Sequence, residues 1–176
     1  MPTRIPDIKP GIEFLKYYQI IGGLIGIGLS ISILKDIPSF SPLTTFVVLI
    51  IIGLYCYSIY CGLVLFRNIK RGLVFSRISQ IVQAVSFSIF GYGYLYISGL
   101  SLNVGLDLTE SFKLQFNFGF SSWQVTIGIA STDLAVNINL VAILLIIVIE
   151  KLLNRIKLKE NSEIVAALGA PAEEVE

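Results

Sequence analysis

Four long runs of apolar residues dominate the chain, and a polar segment separates each run from the next. About 20 helical residues cross the roughly 30 Å hydrocarbon layer of a bilayer. Apolar runs of this order predict membrane-spanning helices. The runs are 14–34, 43–66, 73–100 and 138–153. The sequence therefore predicts an α-helical integral membrane protein with four transmembrane helices.

Between the third and fourth runs, the period of the pattern changes to two. Large apolar residues alternate with polar residues or glycine over 102–108, 112–120 and 123–130. A period of two is typical of a strand with one buried face. The pattern predicts a small extracytoplasmic antiparallel β-meander inserted between helices three and four.

Two breaks in the alternation set the predicted pairing of these strands. At 121–122 the apolar positions move from even to odd numbers, and a two-residue hairpin loop there would place Phe120 opposite Trp123. The three-residue break before the second strand would place Leu106 opposite Leu114. Every resulting pair is apolar, which favours this register.

Residues 134–140 allow two interpretations. Their alternation would form a fourth strand that pairs back onto the third. Alternatively, Asp133 is a suitable N-cap for the last membrane helix, which would then include these residues. The predicted sheet accordingly has three or four strands.

The predicted sheet has one apolar face and one polar face. The apolar face, which includes Phe116, Phe118, Val125 and Ile127, is expected to be buried, because burying one large side chain contributes about 1.5–3 kcal/mol. It would lie on the outer ends of the helices, in the outer interface of the membrane, or against another copy. The opposite face carries the candidate partner-binding residues, which are Asn103, Gln115, Asn117, Gln124 and Thr126.

Two helical faces carry small or polar residues that are expected to avoid lipid. One face of helix one includes a Gly-xxx-Gly spacing, which lets another helix approach closely. One face of helix three carries serines and glutamines. We predict that these two faces pack on each other. The predicted helix-packing residues are Gln19, Gly22, Gly23, Gly26, Ser30, Ser79, Gln80, Gln83 and Ser86.

Composition and charge support a membrane location and suggest an orientation. Hydrophobic residues make up 55% of the 176 residues, and charged residues only 14%, with a mean hydropathy of +0.81. If alternate loops lie on opposite sides, eleven of the thirteen basic residues share one side. The other side has Lys35 and Lys113. We expect the protein in the plasma membrane. By the positive-inside rule, both of its termini are expected on the cytoplasmic side.

The residues that usually carry chemistry are sparse. The chain contains no histidine, and its two cysteines, Cys56 and Cys61, lie within one apolar run. The sequence shows no carboxylate pair, activated nucleophile or phosphate-binding loop. We therefore expect a non-enzymatic protein with no cofactor or metal and no nucleic-acid partner.

These expectations divide the chain into four parts. Residues 1–100 hold the cytoplasmic N-terminus and helices one to three, and 101–137 hold the meander. Residues 138–159 hold helix four, and 160–176 form an acidic flexible cytoplasmic tail. The first functional hypothesis is an accessory, assembly or interaction subunit that contacts another membrane or extracytoplasmic protein through its sheet. The second is a homo-oligomeric channel or transporter component.

Overall fold

The structure, a computed structural model, describes residues 9–35, 41–109 and 112–169. Its elements in chain order are α1 (Lys9–Lys35), α2 (Pro42–Arg67), α3 (Ile69–Ala84), β1 (Val85–Ile89), β2 (Tyr92–Asp107), β3 (Lys113–Thr126), β4 (Leu134–Asn139) and α4 (Leu140–Gly169). The combination of four helices with an antiparallel sheet is confirmed.

Helices α1 and α2 pack as an antiparallel pair. The ammonium group of Lys16, early in α1, lies 4.5 Å from the centroid of the Phe66 ring at the end of α2. These two are the described helices that are long and apolar enough to cross a membrane. Helix α3 has only 16 residues, and the apolar part of α4 is interrupted by Glu150 and Lys151. The prediction of four membrane spans is therefore not confirmed.

The third apolar run does not form one helix. Helix α3 ends at Ala84, so the predicted helix over 73–100 is wrong beyond that residue. The sequence of β1, Val-Ser-Phe-Ser-Ile, alternates apolar residues with serine, which is a strand pattern. Phe90 and Gly91 both have positive φ, 45° and 85°. Positive φ at both central residues is what a two-residue hairpin with a type I′ turn requires.

The hairpin predicted at 121–122 is wrong. Both serines lie inside β3, which pairs with β2 along nearly its whole length. Phe120 pairs with Leu100 and Trp123 pairs with Tyr96, so three residues of β2 face two residues of β3. An extra residue in β2 thus accommodates the change of phase in β3 without a turn.

The connection between β2 and β3 gives the predicted register. Leu106 pairs with Leu114, which confirms the pairing expected from the three-residue break. The fourth strand also exists, as β4, but it pairs with β1 and β2 rather than with the predicted third strand. The N-cap of α4 is Asn139 and not Asp133, because the Oδ1 atom of Asn139 accepts a hydrogen bond from the Val141 N–H at 3.1 Å.

Strands β1, β2 and β4 form a closed set of pairings. Each is antiparallel to the other two. Three straight strands cannot satisfy this arrangement, so β2 must reverse its direction. The reversal falls between Tyr94, which pairs with β1, and Asn103, which pairs with β4. It coincides with the irregular pairing between Ile97 and Leu100, and Gly99 in this segment has a φ of 99°.

Two cores hold the elements together. The first joins the four helices and consists of Ile12, Leu15, Leu65, Leu73, Leu145, Ile149, Leu152 and Leu153. The second joins α2 to the sheet through Ile51, Tyr55 and Tyr96, with Trp123 and Val125 packed at its edge. The sheet is therefore attached to the helices by one part of its apolar side.

Helix α4 continues beyond its predicted end at residue 159. It extends to Gly169, and Glu160, expected at the start of a flexible tail, forms an ion pair with Lys70 at 2.8 Å. Nearer the sheet, Arg77 and Glu150 form a second ion pair between α3 and α4 at 2.7 Å. The rest of the predicted acidic tail, residues 170–176, lies outside the described residues.

Candidate binding site in the sheet

The strand registers bring polar side chains from all four strands to one face of the sheet. Asn103 pairs with Asn117 on one side and with Asn139 on the other. Asn137 pairs with Ser86 and with Gly105. Directly paired residues point to the same side of a sheet. The reversal of β2 folds this polar face onto itself.

This folded polar face lines a cavity of about 150 Å³, which we call the polar cavity. Its lining residues are Ser86, Phe87, Ser88, Gly93, Tyr94, Leu95, Asn103, Gln115, Asn117, Gln124 and Asn137. None of them carries a formal charge. The amides and hydroxyls supply both hydrogen-bond donors and acceptors, so the cavity suits a neutral polar group.

A glycine opposite Asn137 makes part of the cavity possible. A Cβ atom at Gly105 would overlap the amide oxygen of Asn137 and lie 2.5 Å from its Cγ atom. The absence of a side chain at this position lets the Asn137 amide lie across β2. The position therefore needs glycine for space.

Charged groups lie at the end of the strands that flank the cavity. Asp107 pairs with Lys113 in the register of β2 and β3. The pKa of Asp107 is lowered, chiefly by a hydrogen bond from the backbone N–H of Thr109 at 2.9 Å. The side-chain amide of Gln115 also donates to this carboxylate, at 2.8 Å. These contacts fix the orientation of Gln115.

The structure brings the predicted partner-binding residues together. Asn103, Gln115, Asn117 and Gln124 line the polar cavity, and Thr126 pairs with the cavity residue Gly93. The sequence prediction missed Ser88 and Asn137, and it assigned Ser86 to a helix face. The alternation of Ser86 and Ser88 with apolar residues was the signal, but it lay inside a run that was read as a helix.

The predicted helix-packing residues are buried, but their partners differ from the prediction. The small face of α1 packs on α2 and on the sheet rather than on helix three. A Cβ atom at Gly22 would lie 2.7 Å from the backbone nitrogen of Gly99, and one at Gly23 would lie 2.8 Å from the Tyr55 carbonyl oxygen. Gly26 lies directly against the Tyr55 ring.

The polar members of this set connect helices to the strand reversal. The Oε1 atom of Gln83 accepts a hydrogen bond from the Ser98 N–H at 2.7 Å. The Ser30 hydroxyl contacts the indole nitrogen of Trp123 at 3.0 Å. Ser79 is buried beside Gln83, and Ser86 belongs to β1 and not to a helix. These hydrogen bonds fix the sheet against α1 and α3.

Two predicted residues have unsatisfied side chains. The amides of Gln19 and Gln80 are buried and form no hydrogen bond among the described residues, and the same holds for the Ser76 hydroxyl. Buried amides without partners are rare, and where they occur ordered water often satisfies them. The helix bundle thus contains unused hydrogen-bonding capacity.

The apolar side of the sheet is only partly covered. Val125 packs at the edge of the second core. By contrast, Phe116 and Phe118 are 72% and 69% exposed, and Ile127 is 45% exposed. Of the three predicted locations for this side, packing on the helices therefore holds only for the part around Val125. The reversal of β2 turns the second half of the sheet away from the helices.

The described residues contain no group of three or more acidic, cysteine or histidine side chains placed to hold a metal ion. Cys61 is buried and Cys56 exposed, and both are free thiols. No family model, curated protein or solved structure matches this chain.

Proposed function

We propose that this chain is a non-enzymatic membrane protein that binds another membrane or extracytoplasmic protein by holding a neutral polar segment of it in the polar cavity. The observation that supports this proposal is the convergence of Asn103, Asn117 and Gln124 on one uncharged cavity. Surface asparagines scattered on a flat sheet would carry no such implication. Here the fold of the sheet concentrates them.

The size of the cavity favours a protein segment over a free metabolite. Sites for drug-sized molecules usually enclose about 300–1,000 Å³, whereas this cavity encloses about 150 Å³. That volume fits one or two side chains from a loop or terminus. The surrounding exposed amides of Gln115 and Asn117 can contact the rest of such a segment.

Filling the cavity is the direct test. We expect Asn117→Trp to abolish recovery of a crosslinked partner from native membranes, because the indole occupies space that the partner segment needs. Folding should persist, since Asn117 is exposed. The matched control is Phe116→Trp, a neighbouring exposed position on the opposite face, which should leave recovery unchanged. Equal recovery with both variants would contradict the proposed site.

The proposed membrane location and orientation have their own test. The apolar α1 and α2 support the location, and the basic residues at one end of the bundle support a cytoplasmic position for that end. In a background without Cys56 and Cys61, cysteine at Thr132 should react with an impermeant reagent in intact cells. Cysteine at Ser162 should react only after permeabilisation. Reversed labelling would contradict the orientation.

A channel or transporter component is the second candidate. The unpaired amides of Gln19 and Gln80 favour it, because buried hydrogen-bonding groups can hold a path of water through the bundle. Purified protein in liposomes distinguishes the two proposals. Solute flux that depends on both glutamines would support transport. A tight liposome together with a partner that Asn117→Trp releases would support binding.

A further inference from the structure

We infer that the apolar outside of the sheet contacts lipid acyl chains, so that the sheet lies within the outer half of the bilayer, beside α1 and α2. This inference rests on the proposed membrane location. It differs from the expectation of a sheet outside the membrane. Three observations carry it: the depth of the sheet along the helices, the lengths of the elements, and the chemistry of its outer surface.

The sheet contacts α1 along its length and not beyond its end. The Tyr18 hydroxyl donates to the carbonyl of Leu100 at 3.0 Å. Farther along the helix, the Trp123 indole meets Ser30 at 3.0 Å. Tyr18 and Ser30 are twelve positions apart, about 18 Å at 1.5 Å per residue. The strand reversal therefore lies near the middle of α1, and the sheet continues toward its outer end.

The contacts with α2 place the sheet at the same depth as the contacts with α1. Its Tyr55, in the middle of the helix, donates a hydrogen bond to the carbonyl of Ile97 at 3.1 Å. Val47, just over two turns nearer the outer end of α2, packs on the core that includes the sheet residue Tyr96. The sheet thus lies beside the outer halves of both candidate membrane spans.

The element lengths agree with this placement. Helix α3 has 16 residues and is about 24 Å long, and β1 has five residues and adds about 17 Å. Helix α1, with 27 residues, is about 40 Å long. Because β1 follows α3 directly, α3 and β1 together cover the depth that α1 covers alone. A layer thick enough to enclose α1 would therefore enclose the sheet as well.

The outer surface of the sheet has the chemistry of a lipid-facing surface. Its exposed apolar residues come from all four strands and include Val85, Leu102, Leu106, Leu114, Phe116, Phe118, Val136 and Ile138. Strands in lipid carry apolar side chains outward and polar side chains inward, which is the arrangement around the polar cavity. The exposed face of α2 at the same depth is also apolar, with Phe46, Leu49 and Ile50.

Backbone pairing satisfies much of the requirement that lipid imposes, with one edge of β3 as the exception. A strand with unpaired N–H and C=O groups is unfavourable in hydrocarbon. Strands β1, β4 and β2 have partners on both edges for much of their length, because their pairings close on themselves. Of the described strands, β3 alone pairs on one side only. Its Ser121 and Trp123 lie against α1, whereas the outer edge of residues 113–120 has no partner strand.

Depth-dependent fluorescence quenching tests this inference with the full chain in vesicles. Single cysteines replace Phe118, Phe116 or Leu114 in the background lacking Cys56 and Cys61, and each carries an environment-sensitive dye. Nitroxides placed at defined depths on the lipids act as membrane quenchers, and a soluble membrane-impermeant quencher reports exposure to water. Cysteine at Leu49 on α2 is the reference for lipid, and cysteine at Thr132 is the reference for water. All three sheet positions are exposed, so the variants should fold.

We expect all three dyes to be quenched by acyl-chain nitroxides, with Phe118 deepest. Phe118 and Leu114 are four positions apart, so the dye at Leu114 should lie about 10 Å shallower on a tilted strand. A dye at Phe118 that is quenched from water, as at Thr132, would overturn the inference. A dye at Phe118 that neither quencher reaches, together with crosslinking between copies, would also overturn the inference, because a second copy would then cover the surface. Quenching of Leu49 from water would instead overturn the membrane location itself.

Discussion

Gly26→Leu should unfold the bundle, because the space that a side chain needs is occupied by the ring of Tyr55. Tyr55 is completely buried, and its hydroxyl holds the carbonyl of Ile97 in the sheet. Displacing this ring separates α1 from α2 and loosens the sheet at the same time. We expect a loss of about 3 kcal/mol or more, measured by thermal unfolding in detergent.

Gly28→Leu is the matched control. It lies two residues away, on a different face of α1, and a Cβ atom there has nothing within 4 Å. The two variants add the same apolar side chain to the same helix and differ in what that side chain meets. The unfolding temperature of Gly28→Leu should stay close to that of the native chain. Equal losses in the two variants would show that helix propensity, and not the contact with Tyr55, decides the effect.

Gly99→Val should have the second largest effect, through the reversal of β2. The φ of Gly99 is 99°, a region that residues with a side chain rarely adopt, and such strain costs about 1–3 kcal/mol. In addition, a Cβ atom would lie 2.6 Å from the Cζ atom of Tyr18. Moving Tyr18 breaks its hydrogen bond to Leu100. Lower expression and a lower unfolding temperature are the expected results.

Gly128→Val separates the two causes. Gly128 also has a positive φ, 67°, but no atom lies within 4 Å of a Cβ built there. This variant therefore measures the backbone strain without the clash. If Gly99→Val lowers stability no more than Gly128→Val, then the contact between Gly99 and Tyr18 contributes nothing measurable to the reversal.

The helices were predictable where the apolar run had no competing interpretation. The runs that became α1 and α2 are long and apolar, and their helices match the prediction closely. The third run failed because residues 85–100 are apolar enough for a membrane helix and also alternate enough for strands. Val85 to Ile89 pairs with β4, which lies about fifty positions later in the chain. No local pattern contains that information.

The phase change at Ser121 shows a second kind of limit. A change from even to odd apolar positions fits either a hairpin or a continuous strand whose partner carries an extra residue. The decision depends on β2, where the segment around Gly99 provides that residue. The composition of each face was predictable, since it follows from alternation alone. The cavity was not, because it requires the long-range closure of β1 on β4.

The direct connections between helices and strands also constrain how the chain assembles. Val85 follows Ala84 without a loop, and Leu140 follows Asn139 in the same way. Strand β4 covers one edge of β1 and one edge of the second half of β2. Both edges stay unpaired until β4 is synthesised, late in translation. Until then the insert exposes unpaired strand edges, which are sites of aggregation. A chain truncated before Leu134 should therefore accumulate as a misassembled species that quality-control proteases remove, even though α1, α2 and α3 are complete.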